Sequence, residues 1–226
     1  MDFWYGMMEF TRGPLFYFAL LVFVAGMLFR LFRIIMLGWS RDYSKPRGSK
    51  ALGVVKSYLK AILIWPFIPW IKGTFRRNPV MYLAGGLFHL GLFVVIFLGT
   101  PHMLVWKSLL GFGWPTLPLP VVDWMAVGAI IAMLVLLVMR LTNPVLRLLS
   151  GVPEWLNWSL VFLPMITGYI MTHHLFFRYE VAYSLHMLAV DAMLIWSPFS
   201  RISHFMFYFF SRTIHGASWG KHAVSP

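Results

Sequence analysis

The chain has 226 residues and a net charge of +12, yet only 12% of its residues are charged and 60% are apolar. About a quarter of a soluble globular domain is charged, so this composition excludes a soluble enzyme, a disordered protein and a nucleic-acid binder. It predicts an integral membrane protein. Cysteine is absent, which excludes a disulfide or a thiolate metal site within the chain and assigns any iron–sulfur cluster to a partner.

Five hydrophobic runs predict an all-α membrane protein that forms one domain over residues 1–226. Each run holds the roughly 20 residues that cross a bilayer. Pro14 stands at a helix-start position, and Pro198 is expected to kink the last run. The predicted spans are residues 14–37, 81–105, 121–141, 155–177 and 181–210.

The connection between the first two spans contains a further apolar stretch, residues 61–71. It is too short to cross a bilayer and carries Pro66 and Pro69. Together with residues 50–60 it is interpreted as an amphipathic segment at the cytoplasmic membrane interface. A re-entrant hairpin buried in protein is the alternative.

The placement of lysine and arginine predicts the orientation. On one side, the connection between the first two spans holds nine basic residues: Arg41, Lys45, Arg47, Lys50, Lys56, Lys60, Lys72, Arg76 and Arg77. The opposite side holds Arg12, Lys107 and Arg178. We therefore expect the N-terminus outside and the C-terminus inside, and the positive net charge needs no nucleic acid to explain it.

The histidines carry the strongest sign of chemistry, because an ionisable side chain within a span is costly. His186 and His204 are 18 residues apart, which is five turns of a regular helix. Both would lie on one face, about 27 Å apart along the axis, in a bilayer core about 30 Å thick. The spacing predicts two metal centres stacked across the membrane, and haem iron held by two imidazoles suits a chain without cysteine.

Each haem needs a second histidine from a neighbouring helix. On the second span, His89 matches the depth of His204 and His102 matches that of His186. The bend-prone residues 99–101, Gly-Thr-Pro, can re-aim His102. The alternative is that these histidines are polar residues hydrogen-bonded between helices.

Other ionisable groups lie close to the predicted centres. His173 and His174 end the fourth span and are rival outer ligands. Asp191, five residues after His186, is either a proton carrier for quinone or a structural acid. Arg201 either pairs with a haem propionate or marks the inner interface.

At these residues the sequence resembles the five-span, di-haem cytochrome b subunits of the respiratory nitrate reductase gamma family. The matching segments are Leu87-Phe88-His89-Leu90-Gly91, His186, and Pro198-Phe199-Ser200-Arg201-Ile202-Ser203-His204. That family holds two b haems, with an inner pair like His89 and His204. Its other ligand on the second span comes ten residues after the first, where this chain has Gly99.

The chain looks closer to the cytochrome b subunits of transmembrane electron-transfer complexes from sulfate reducers, the Tmc-like and Hmc-like proteins. The shared features are Arg12-Gly13-Pro14, the loop Pro115-Thr116-Leu117-Pro118, Thr167-Gly168-Tyr169 followed by His173-His174, Asp191, and a histidine at the position of His102. The resemblance covers nearly the whole chain.

The resemblance implies an electron-transfer subunit of a quinone-reactive oxidoreductase complex in the bacterial inner membrane. The implied cofactors are two haem b, ligated by His89/His204 and His102/His186, and menaquinone or ubiquinone. The implied partners are a cytoplasmic iron–sulfur subunit, membrane lipid and, in the sulfate-reducer complexes, a periplasmic multihaem cytochrome c. Two other classes stay open: a proton or metal transporter or channel subunit using intramembrane His and Asp, and a non-redox anchor.

Overall fold

The computed structural model describes residues 2–38, 42–64 and 66–224, so Arg41 of the basic connection lies outside the described residues. These residues form helices and contain no strand, which confirms the predicted all-α class. In chain order the helices are α1 (Phe3–Phe10), α2 (Phe16–Met36), α3 (Lys50–Leu59), α4 (Gly73–Arg77), α5 (Pro79–Phe93), α6 (Thr100–Leu110), α7 (Leu119–Thr142), α8 (Pro144–Leu148), α9 (Val152–Thr172), α10 (Tyr179–Trp196) and α11 (His204–Lys221).

Within the described residues, three helices are long and apolar enough to cross a membrane. They are Phe3–Met36, Pro79–Leu98 and Leu119–Thr142. These three candidate spanning helices overlap the first three predicted spans and support a membrane protein. Helices α9 and α10 overlap the fourth and fifth predicted spans.

The described residues divide into two compact units. The first unit comprises the residues up to 17 and residues 77–193, and the second comprises residues from 18 to 76 and from 194 onwards. The first unit contains α1 and most of α5–α10, and the second contains α3, α11 and all but the end residues of α2 and α4. The predicted single domain thus consists of two packing units.

The first spanning helix begins at Phe3, so the prediction that it starts at Pro14 is wrong. Asp2 caps the helix, with Trp4 N donating to Asp2 Oδ1 at 3.4 Å. Pro14 lies inside a π turn, Thr11–Leu15, that joins α1 to α2. Proline lacks a backbone donor and crowds the preceding turn, and the wider π turn accommodates it without ending the helix.

The second spanning helix ends at Leu98 rather than at residue 105. After α5 the chain forms a π turn, Val94–Leu98, and Gly99 is then extended with φ −81° and ψ 129°. The carbonyls at this helix end accept hydrogen bonds from Trp106 Nε1 to Ile96 O (3.1 Å), Trp114 Nε1 to Phe97 O (2.5 Å) and Leu117 N to Leu98 O (2.9 Å). Helix α6 and the loop after it therefore fold back over the end of the span and satisfy carbonyls that lipid could not.

The fifth predicted span, one helix kinked at Pro198, is interrupted more deeply than predicted. Helix α10 ends at Trp196 and is followed by two 3₁₀ turns, Ser197–Phe199 and Arg201–Ser203, before α11 begins at His204. Ser200 between the two turns is extended, with φ −128° and ψ 178°. The five regular turns assumed between His186 and His204 are therefore not present.

The core of the first unit lies among α5, α7 and α9. Its buried residues are Ala84, Phe88, Ala132 and Met133. From α9, Trp158 packs beside this core and donates its indole N–H to Met133 O at 3.2 Å. The α5 and α7 backbones approach closely, since a Cβ added at Gly91 would lie 2.5 Å from Met125 O. This packing fixes the part of α5 that carries His89.

In the second unit, α3 and α11 pack closely against each other through glycine residues. A Cβ added at Gly53 would overlap the Gly216 carbonyl, and one added at Gly220 would overlap the Ser49 carbonyl. Gly216 and Gly220 are one helical turn apart on α11, the small-residue spacing that lets helix backbones meet in membrane proteins. The basic connection is therefore anchored to the C-terminal helix.

An ion pair at the end of α11 completes this anchor. The Lys221 side chain is 6% exposed, and its Nζ lies 2.8 Å from Asp42 Oδ2 and 2.7 Å from Asp42 O. The Lys221 carbonyl also accepts from the backbone N–H groups of Arg47 and Gly48. Hydrogen bonds from Lys221 and Ser44 hold the pKa of Asp42 well below its usual range.

Replacement of Asp42 by asparagine is expected to lower the Tm of the detergent-solubilised protein at pH 7. Because the pKa of Asp42 is lower in the folded protein, its ionised form stabilises the fold above the unfolded pKa of about 4. That contribution is lost as pH falls through the folded pKa. Thermal unfolding should therefore show a Tm difference at pH 7 that shrinks below pH 4. A difference independent of pH would contradict this role.

Candidate metal centre

His186 is buried in the first unit, and one of its ring nitrogens is fixed by α9. The side chain is 8% exposed. Its Nδ1 donates to Pro164 O at 3.0 Å and lies 3.3 Å from the Thr167 hydroxyl. A histidine that ligates a metal through one nitrogen commonly donates its other N–H to a backbone carbonyl. The arrangement therefore leaves Nε2 of His186 available as a ligand.

The local sequence of α9 creates this setting. Thr167 donates its hydroxyl hydrogen to Leu163 O at 2.6 Å, so its oxygen can accept from His186. Gly168 faces the imidazole, because a Cβ added there would lie 3.0 Å from His186 Cε1. A threonine followed by a glycine thus provides both a polar contact and the space for the ring.

His102 lies beside His186 in the same unit. It occupies the first turn of α6, after the extended Gly99, and hydrogen-bonds to the backbone of Val95. The ring centroids of His102 and His186 are 6.2 Å apart, with an interplanar angle of 73°. The break at residues 99–101 therefore brings His102 to His186, as its bend-prone sequence predicts.

The separation of these two rings fits a shared metal ion. Two metal–nitrogen bonds of about 2 Å, plus about 1 Å from each nitrogen to its ring centre, place the centroids roughly 6 Å apart. Each ring also forms a hydrogen bond to the protein backbone. Within the described residues, no three or more His, Asp or Glu lie together as a site for a metal ion. A pair of imidazoles is the set that b-type haem iron takes from protein.

The rival outer ligands have other partners. His173 Nε2 lies 3.5 Å from Asp123 Oδ1, and its ring packs on Tyr169 with centroids 4.3 Å apart. His174 packs on Tyr179 at 5.8 Å and has a left-handed backbone with φ 50°. Both residues are exposed. The structure brings His102, rather than either of these, to His186.

The predicted inner ligands lie in different units. On α5 of the first unit, His89 has Nδ1 2.6 Å from Gly85 O and packs edge-on against Phe88. At the start of α11 in the second unit, His204 has Nδ1 2.9 Å from Arg201 O. Both rings thus have the Nδ1-to-carbonyl arrangement seen at His186. Their pairing stays a prediction.

Asp191 and Arg201 differ sharply in their surroundings. The Asp191 side chain is 1% exposed, and neither carboxyl oxygen has a hydrogen-bond partner among the described residues. The structural interpretation of this acid, a bond to a neighbouring helix, thus finds no partner in the described part of the chain. Arg201 is exposed and lies in the 3₁₀ turn that precedes His204.

Comparison with known proteins finds a bacterial protein that is similar to this chain over nearly its whole length. A protein from Nitratidesulfovibrio vulgaris (strain Hildenborough) is 28% identical over 207 residues, which cover 91% of this chain and 90% of that protein. Its name assigns no function. No protein family matches the chain, and no solved structure matches it. The chain is therefore similar to one bacterial protein over nearly its whole length.

Substitution of Gly168 tests the packing around His186. Alanine is expected to displace the imidazole by a few tenths of an ångström, and leucine is expected to push it out of its site, because an added Cβ already meets Cε1 at 3.0 Å. If His186 ligates a haem, absorption spectra of the purified variants should show a weaker signal from that haem in Gly168→Ala and no signal from it in Gly168→Leu. Gly6→Ala is the control, since nothing lies within 4 Å of a Cβ at Gly6. A normal haem spectrum in Gly168→Leu would contradict the assignment.

Proposed function

We propose that the protein is a five-span, di-haem b membrane subunit that passes electrons between the quinone pool and partner proteins. The observation that carries this proposal is the proximity of His102 and His186, whose ring centroids are 6.2 Å apart. Each ring is also hydrogen-bonded to the protein backbone, His186 to Pro164 and His102 to Val95. Haem supplies one-electron redox chemistry when bound. The protein binds the group, orients its ligands and controls access of water and protons.

The outer haem site consists of His102 and His186, and the inner site of His89 and His204. The Nδ1 contacts of His89 and His204 to the Gly85 and Arg201 carbonyls support their role, because a histidine that ligates a metal commonly has its other ring nitrogen on a backbone carbonyl. Arg201 is proposed to pair with a propionate of the inner haem.

Asp191 is proposed as the proton acceptor for quinol. Oxidation of a quinol releases protons together with electrons, so its site needs a group that takes them up. A carboxyl that is buried without a hydrogen-bond partner is costly to keep, and such a group inside a membrane protein is a candidate for proton transfer.

Contacts within each unit are consistent with the proposed five-span topology, while the placement of lysine and arginine supports the N-terminus outside and the C-terminus inside. In the first unit, Asp2 pairs with Arg178 at 2.8 Å, which joins the N-terminus to the loop between α9 and α10. In the second unit, Asp42 pairs with Lys221, which joins the first connection to the C-terminal helix. In the five-span topology, four spans separate the two members of each pair along the chain, so both members lie on the same side of the membrane.

The proposed location is the bacterial inner membrane. The basic connection would face the cytoplasm, where its charge suits docking of an iron–sulfur subunit. In complexes like those of sulfate reducers, the outer haem would exchange electrons with a periplasmic multihaem cytochrome c. Membrane lipid surrounds the spans, and no nucleic acid is involved.

A proton transporter is the second candidate, and the buried Asp191 favours it. Quinol oxidation separates the two candidates. The purified protein is placed in lipid vesicles, a menaquinol analogue is added, and the b-haem absorption bands are followed by stopped flow. We expect rapid reduction of the haem. A haem-containing protein that quinol does not reduce would contradict the quinone-linked function, and proton uptake by haem-free protein would favour the transporter.

A further inference from the structure

We infer that Arg30 is a positioning residue that holds the broken segment 197–203 in place and so aims His204 at the inner haem. The inference rests on the proposed function for its haem ligand and on direct contacts for the segment itself. All the contacts involved lie within the second unit.

The segment leaves backbone groups that a regular helix would satisfy. It consists of two short 3₁₀ turns around the extended Ser200. Its three serine side chains are buried, with Ser197 3%, Ser200 9% and Ser203 1% exposed. Irregular backbone at membrane depth is stable only where protein groups satisfy it, so the segment needs donors from a neighbouring helix.

Arg30 of α2 supplies these donors from a single nitrogen. Its Nη1 donates to Pro198 O at 2.9 Å, Ser200 O at 3.0 Å and Ser203 Oγ at 2.5 Å. The Ser203 hydroxyl in turn donates to Ser200 O at 2.7 Å. Hydrogen bonds from a charged donor are about twice as strong as neutral ones. The sequence predicts that Arg30, near the end of its span, would extend towards water, whereas the structure shows it pointing into the protein.

The face of α2 that carries Arg30 also packs against the segment and the start of α11 at positions before Arg30. One turn earlier, a Cβ at Gly26 would lie 2.6 Å from Pro198 Cβ, so only glycine allows this approach. Phe23 stacks on Phe205 with ring centroids 6.2 Å apart. The Arg30 guanidinium also lies 5.1 Å from the centre of the Phe207 ring. The first turn of α11, where His204 lies, is thereby docked on α2.

The hydrogen bonds lead directly to the proposed ligand. Ser203 immediately precedes His204, and Arg201, whose carbonyl receives His204 Nδ1 at 2.9 Å, belongs to the same turn. Loss of the Arg30 contacts would free this turn to move and would change the direction of the imidazole. A charge-neutral side chain of similar length removes the donors while it keeps much of the packing volume.

The experiment compares Arg30→Met, Arg30→Lys and the control Arg33→Met, which removes a cation from an exposed position of the same helix. Each full-length protein is purified, its haem content and low-spin electron paramagnetic resonance signals are measured, and hydrogen exchange of residues 197–207 is followed by mass spectrometry. In Arg30→Met we expect at least tenfold faster exchange in this segment. We also expect loss or an altered resonance of the inner haem, with the outer haem unchanged. Lysine, which also presents several donors on one nitrogen, should restore part of both signals, and Arg33→Met should match the wild type.

Two outcomes would overturn the inference. Unchanged exchange in Arg30→Met would show that Arg30 does not hold the segment, and faster exchange with a normal inner-haem signal would show that the segment does not aim His204. If the wild type carries no haem, the proposed function fails and the ligand part of the inference with it, while the exchange data still decide the role of Arg30. If Arg30→Met does not fold, Gly26→Ala provides the second variant, because it pushes on Pro198 with Arg30 intact.

Discussion

Replacement of His186 by alanine is expected to reduce the haem content from about two to about one per chain. His186 is the buried member of the outer pair, and its Nδ1 is already committed to Pro164 O and Thr167. Haem held by two imidazoles depends on both ligands, so its removal should release the outer haem. Pyridine haemochrome analysis and the redox titration of the purified variant measure the loss.

Matched histidine variants make this result specific. His102→Ala should lose the same haem, because the centroid of the His102 ring lies 6.2 Å from that of His186. His173→Ala and His174→Ala should keep both haems, since these side chains pack on Tyr169 and Tyr179 instead. Two haems in His102→Ala, together with one haem in either control, would show that the outer pair is wrongly assigned.

Replacement of Asp191 by asparagine is expected to slow quinol oxidation by about 100-fold while both haems stay bound. Asparagine keeps the size of the side chain and removes its ability to take up a proton, and such groups typically contribute 10²–10⁴-fold to rate. The effect should appear in steady-state quinol turnover and in the rate of haem reduction by quinol. Reduction of the same protein by dithionite should remain fast.

Two further variants control for structure at this position. Asp191→Glu should recover part of the rate, because it restores an acid at the buried site. Asp123→Asn, which alters an acid paired with His173 at 3.5 Å, should leave turnover close to that of the wild type. Normal turnover in Asp191→Asn would mean that protons leave the quinol by another group.

Composition and periodicity were sufficient for the fold class and for three of the spans. Hydrophobic runs of about 20 residues predict helices in any membrane protein, and Phe3–Met36, Pro79–Leu98 and Leu119–Thr142 meet that expectation. The break before His102 could also be predicted from the sequence, because the flexible Gly99 and Pro101, which lacks a backbone N–H, both disfavour a continuous helix. Five spans and their orientation stay predictions.

Local irregularities were harder to read. Proline predicts a helix start as readily as an internal bulge, and the structure places Pro14 within a π turn. Pro198 predicts a kink, but the buried serines at 197, 200 and 203 extend it into a break of seven residues. The spacing of 18 residues was therefore interpreted with a regular helix geometry that the structure does not have, and the pairing of depths that it suggested stays a prediction.

The contacts around the proposed ligands depend on residues far apart in sequence. Arg30 bonds to a segment about 170 positions later, and Thr167 and Pro164 reach His186 from a different helix. In the sequence these contacts are indicated only by the cation Arg30, and by Thr167 and Gly168, within apolar runs. Such residues are costly in lipid, which marks them as significant without showing what they contact.

The stoichiometry and spectrum of haem in the purified protein test the central claim most directly. The protein is expressed with ample haem supply, purified in mild detergent, and measured by pyridine haemochrome assay and by a reduced-minus-oxidised difference spectrum. The proposal predicts a red protein with b-type bands and about two haems per chain. A folded, colourless protein from which no haem can be extracted would contradict the assignment of all four histidines.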